Sequence, residues 1–61
     1  MNNFNTLKFG KKYKFQFTHR KNVHGIVCEV DLEKKWFAIY DMTTKQYEGI
    51  PAFRLQSFEL I

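Results

Sequence analysis

From Lys12 to Thr18 the chain reads Lys-Tyr-Lys-Phe-Gln-Phe-Thr, an aromatic ring at every second position and a polar side chain between. Successive side chains of a strand point to opposite faces, so this alternation describes a strand with one buried and one wet side. A helix would scatter the three rings around its circumference. The polar turn His19-Arg20-Lys21-Asn22 follows. Residues 23–30 are then apolar on both parities, with Ile26, Cys28 and Val30 on one side and Val23, Gly25 and Val27 on the other. That pattern predicts a second strand covered on both faces, bent sharply at Gly25.

The same reading carries through to residue 60. Asp31-Leu32-Glu33-Lys34-Lys35 interrupts, residues 36–40 form a third strand, and Met42-Thr43-Thr44-Lys45 turns the chain into a fourth at residues 46–50. Pro51 cannot donate to a ladder and ends that strand. Ala52 and Phe53 make a tight turn before a fifth strand at residues 55–60. Five short strands joined by turns of this kind predict an all-β fold, a small five-stranded antiparallel barrel of the SH3/Sm-like type. Its expected interior is Phe15, Phe17, Ile26, Val27, Phe37, Ile39, Ile50, Leu55 and Phe58. Phe4 and Leu7 are three apart, which permits one short N-terminal helical turn over the barrel mouth; an extended arm fits equally.

Length then limits the possibilities. Sixty-one residues make one domain, residues 1–61, with an arm at 1–10 and a barrel at 11–60. A chain of this size buries only about 60% of the surface its unfolded form exposes. The single cysteine excludes an intrachain disulfide. Extra stability must come from tight packing or from self-association, and a homo-oligomer is expected. The longest apolar run, residues 36–40, is far short of the ~20 residues that span a bilayer, and the start lacks the charged and apolar regions of a signal peptide. A cytoplasmic protein of a bacterial host cell, with no membrane partner, is the expectation.

The net charge of +4 is unevenly distributed. Residues 1–28 carry Lys8, Lys11, Lys12, Lys14, Arg20 and Lys21 and no acid, whereas residues 29–61 carry four bases and six acids. One basic face is expected, attractive to phosphates, anionic ligands or acidic proteins. The competing reading is that these lysines are the solvated side of an edge strand, where lysine discourages aggregation. Lys12 and Lys14 project from one side of the first strand, and His19, Arg20 and Lys21 add donors at the neighbouring turn. Trp36 and Tyr40 share a parity opposite to Phe37 and Ile39, which leaves their rings partly exposed, for stacking or for a subunit interface. Together these seven residues form the candidate nucleic-acid or anion site, since open barrels bind single strands with cations and exposed rings.

Catalytic and metal chemistry find no footing. His24 and Cys28, four apart on one strand, are about 13 Å from each other, too far to share a zinc ion with bonds near 2 Å. Cys28, between Ile26 and Val30, reads as a small buried apolar residue. Ser57 has no histidine near it in sequence, and Glu29, Asp31 and Glu33 cluster on a solvated turn. No glycine-rich phosphate loop exists among the three glycines. The expectation is a binder, not an enzyme, with no cofactor.

The segment Val23-His24-Gly25-Ile26-Val27-Cys28-Glu29-Val30-Asp31 resembles the Sm-like family of small SH3-type barrels, in which a bent second strand has a glycine and, six positions later, an aspartate; Gly25 and Asp31 match. Residues 25–31, together with Trp36-Phe37-Ala38-Ile39-Tyr40-Asp41, Ile50-Pro51 and residues 55–60, are also similar to the small YolD-like proteins of Gram-positive bacteria and their phages. These resemblances imply the barrel fold and a phage-associated origin. The Sm-like uridine contacts do not carry over: Lys35 stands where the family has asparagine, and Tyr47-Glu48-Gly49 where the bacterial Sm-like RNA chaperone has Tyr-Lys-His. The leading functional expectation is a small oligomeric module that binds single-stranded nucleic acid or a nucleotide-type anion. The alternatives are a phage inhibitor docking on an acidic surface of a host defence or transcription protein, and an oligomeric sponge for a cyclic-nucleotide signal.

Overall fold

The structure, a computed structural model, describes residues 3–61; Met1 and Asn2, the first two positions of the expected arm, lie outside the described residues. It is all-β, with five strands: β1 (Lys12–Phe17), β2 (Val23–Asp31), β3 (Trp36–Asp41), β4 (Gln46–Pro51) and β5 (Leu55–Leu60). They form one antiparallel sheet in the order β4-β3-β2-β1-β5. The sheet curls so that one face lines the core. Two 3₁₀ turns complete the chain, Phe4–Thr6 in the arm and Ala52–Arg54 between β4 and β5. The arm is therefore a helical turn at this point, and Leu7 beyond it is buried in the core.

Period two governs burial as the sequence predicts. In β1 the burial alternates strictly, with Tyr13, Phe15 and Phe17 inside. In β3 it alternates again, with Phe37, Ile39 and Asp41 inside. Phe15, Phe37, Ile39 and Val27 are essentially free of solvent, and Ile50 and Leu55 close the core from the edge strands. Phe15, Phe17 and Phe37 stack with centroids 5.6–6.4 Å apart, within the range in which aromatic pairs gain beyond their buried area. Phe58 packs on the core from β5 while staying partly exposed, its ring edge-on to Tyr13 at 5.5 Å.

Strand β2 departs from the expectation. It is covered on one face only: Val23, Gly25 and Val27 are buried, while Ile26 and Cys28 are half-buried on the outward side. Ile26 is thus not interior, because its cross-strand partners are the outward residues Lys12 and Tyr40. Cys28 is not a buried core residue either, and its Sγ reaches the Ile26 carbonyl at 3.5 Å. Beyond Val27 a register shift between Val27 and Glu29 inserts Cys28 as an extra residue and returns Val30 to the core side opposite Phe37. The irregularity falls at Cys28 and not at Gly25. Gly25 instead answers a close approach, because a Cβ there would lie 3.0 Å from the Tyr40 carbonyl oxygen.

The β2–β3 and β3–β4 turns share one construction. Each opens on an aspartate whose Oδ1 accepts backbone N–H groups, Asp31 from Lys34 at 2.9 Å and Asp41 from Thr43 at 2.8 Å. Each closes on a lysine in the left-handed region, Lys35 at φ 58° and Lys45 at φ 61°. A side chain there costs about 1–2 kcal/mol, only partly offset by the ~0.5–1 kcal/mol that glycine loses in conformational freedom. Lys45 is exposed, so Lys45→Gly should stabilise the fold by about 0.5 kcal/mol and raise the thermal midpoint by roughly 2–4 °C. A lowered midpoint in differential scanning calorimetry would show that the lysine makes a compensating contact.

Candidate nucleic-acid interface

The register of four strands assembles the outward face. Lys12 stands opposite Ile26, Ile26 opposite Tyr40, and Tyr40 opposite Tyr47, which forms one row across the sheet. Directly opposed residues share a face and lie about 5 Å apart. The neighbouring row places Lys14 opposite His24 and, across the other ladder, opposite Glu59. Tyr40 and Tyr47 meet edge-to-face with centroids 5.0 Å apart, and Tyr47 is 75% exposed. Two lysines and a tyrosine pair therefore lie within two adjacent rows. Lys12, Lys14 and His24 are all exposed.

The remaining predicted site residues lie elsewhere. Trp36 is on the same outward face but four residues from Tyr40 along β3, about 13 Å away; its indole rests over Gly49 and its cross-strand partner in β2 is Asp31. That end of the face carries Glu29, Asp31 and Glu33 beside Lys34 and Lys35. His19 and Lys21 are exposed in the β1–β2 turn, His19 at φ 60°.

Arg20 turns to the opposite side of the sheet. Its Nη1 donates to Glu48 Oε2 at 2.5 Å, its Nη2 to Glu48 Oε1 at 3.3 Å, and its guanidinium lies 5.2 Å from the Phe17 ring centroid. The Glu48 hydrogen bond, with the carboxylate's charge, holds the guanidinium above its ordinary value, so Arg20 stays charged at any working pH. It ties the β1–β2 turn to β4. Because both partners are about a third exposed, water screens the pair and its net contribution is small.

Tyr47 is the residue the sequence reading passes over, along with His24. Both follow from pairing: Asp41 faces Gln46 across a four-residue loop, and counting outward places Tyr47 opposite Tyr40. A small depression of about 90 Å³ touches this face at Lys14, beside Ser57 and Glu59. A groove of about 780 Å³ runs between Phe4 and the second 3₁₀ turn, where Phe53 is 76% exposed, and another of about 520 Å³ lies beside Trp36, Lys34 and Pro51. Among the described residues no group of three or more His, Cys, Asp or Glu could hold a metal ion, and no helix is long and apolar enough to cross a membrane. Comparison of the chain with models of known families, with curated proteins and with solved structures finds no match.

Proposed function

We propose that this protein is a small binding module for single-stranded nucleic acid, engaged through the outward face of β1 to β4. The observation that carries the reading is the single cross-strand row Lys12, Ile26, Tyr40 and Tyr47 with Lys14 beside it. Exposed rings give bases a stacking surface without regard to sequence, and the lysines meet the phosphates. The SH3/Sm-type resemblance contributes the barrel only, since fold does not carry function. Trp36 and Arg20 stand outside this core platform, Trp36 by distance and Arg20 by its pairing with Glu48.

Fluorescence anisotropy with labelled oligouridine and oligothymidine provides the test. Two or three phosphate contacts to a single strand give a log–log salt slope of roughly −1.4 to −2.1. Lys12→Glu with Lys14→Glu should flatten that slope and weaken all sequences alike. Tyr47→Ala removes the most exposed ring and should weaken binding about 5- to 150-fold, the equivalent of ~1–3 kcal/mol per stacked base. Wild-type protein that binds neither oligonucleotide at low salt ends the reading.

A further inference from the structure

The outward face holds a second set of rings and cations that the Lys12-to-Tyr47 row does not use. Along β3 and β4 the register sets Tyr40 opposite Tyr47, Ala38 opposite Gly49 and Trp36 opposite Pro51. The middle pair carries nothing taller than a methyl group, so aromatic side chains stand on both sides of a low floor. The backbone of Trp36 is two rows from the tyrosines, but its indole closes one of them. Its Cζ3 and Cε3 lie 3.7 and 3.8 Å from the point that a Gly49 Cβ would occupy. What remains is one row of two residues, ~7 Å along the strand. A planar base between two rings, at ordinary contact distances of ~3.5–4.0 Å on each side, takes that width.

The charges flank this gap unequally. Gly49 also lines the depression of about 520 Å³, together with Lys34, Lys35, Trp36 and Pro51. Among the described residues two ammonium groups and no carboxylate border it, and both lysines are exposed. Asp31 and Glu29 lie on the opposite, β2 side of Trp36 and Ala38, and Asp31 Oδ1 accepts the Lys34 N–H. Glu48 is on the other face of the sheet, where it pairs with Arg20. An anion is therefore drawn to the β4 side, next to the gap.

We propose that gap and depression together form a nucleotide subsite, in which a base sits between the Trp36 indole and Tyr47 above Gly49, and its phosphate meets Lys34 and Lys35. The subsite rests on the nucleic-acid reading and gives the bound strand a direction, along β4 from Tyr47 toward Pro51.

Trp36 is the chain's single tryptophan, so its emission reports on the gap alone. A thymidine octanucleotide labelled for anisotropy should quench that emission in step with the rise in anisotropy at low salt. An abasic strand of the same length, at concentrations where it binds, should leave the emission unchanged. Lys34→Ala with Lys35→Asn should flatten the log–log salt slope by roughly 0.7, the share of one phosphate on a single strand; asparagine accepts the left-handed backbone of position 35. Gly49→Leu fills the gap from an exposed position where a Cβ has room. It should abolish the quenching and weaken binding about 5- to 150-fold, the loss of one stacked base, with a circular dichroism melt close to that of the wild type.

Anisotropy that rises with the emission unchanged, or an affinity untouched by Gly49→Leu, overturns the subsite and leaves the nucleic-acid reading standing. Equal quenching by the abasic strand overturns the base in the gap. A salt slope unmoved by the lysine pair overturns the phosphate assignment. Wild-type protein that does not bind the octanucleotide at low salt overturns the subsite together with the nucleic-acid reading.

Discussion

Phe37→Ala is expected to abolish the cooperative unfolding transition at room temperature, not merely to lower its midpoint. Phe37 is fully buried and stacks on both Phe15 and Phe17. Removing a buried phenyl ring costs about 3–5 kcal/mol through lost transfer energy and the cavity left behind. A chain of this length has roughly 3–9 kcal/mol in total, at ~0.05–0.15 kcal/mol per residue. The deficit is of the same size as the stability. Phe37→Leu keeps most of the volume and should cost about 1–1.5 kcal/mol, leaving a measurable transition at lower temperature. Circular dichroism melts of the two variants make the comparison. An unchanged midpoint for the alanine variant would mean that β3 does not line the core as described.

Gly25→Val should destabilise the protein by about 3 kcal/mol, through crowding and not through loss. A Cβ at Gly25 meets the Tyr40 carbonyl oxygen at 3.0 Å and the Ile39 Cδ1 at 3.1 Å. Ile39 is wholly buried, so its side chain has nowhere to retreat. The Tyr40 backbone belongs to a strand paired on both sides and can yield only by loosening a ladder. Valine adds two methyl groups beyond that Cβ. Gly49 supplies the control, since a Cβ there comes no nearer than 3.7 Å, to the Trp36 ring, and Gly49→Ala should be nearly neutral. Urea denaturation of both variants distinguishes specific crowding from a general intolerance of glycine replacement. A Gly25→Val protein as stable as the wild type would refute the close approach.

The strands were legible because each local signal agreed with the next: the alternation in β1, the aspartate-led turns, and Pro51 closing β4. The same clarity did not reach the outward face. In β2 the apolar residues occupy both parities, and sequence alone does not distinguish two covered faces from one face interrupted by a bulge. The extra residue at Cys28 is invisible until the pairing with Ala38 is seen. Lys12, Lys14 and Tyr40 come together because they share the outward parity of neighbouring strands, which counting can foresee. Arg20 and Glu48 meet from distant parts of the chain, and no periodicity foretells such a pair. For that reason a cation expected on the basic face is directed to the other side of the sheet.

Strand β1 lies between β2, which follows it directly, and β5, the last of these five strands to be made. Val23 to Asp41 can pair on either side of the β2–β3 turn as soon as they are synthesised, but β1 cannot gain its second neighbour until Leu55 to Leu60 have left the ribosome. Until then the rings of Phe15 and Phe17 lie on a sheet with an open border, the condition under which nascent β chains pair with the wrong partner. Lys12 and Lys14 flank those rings along that border and repel a second nascent copy. Lys12 and Lys14 are therefore expected to lower the aggregation of an incomplete chain, whatever the finished face does.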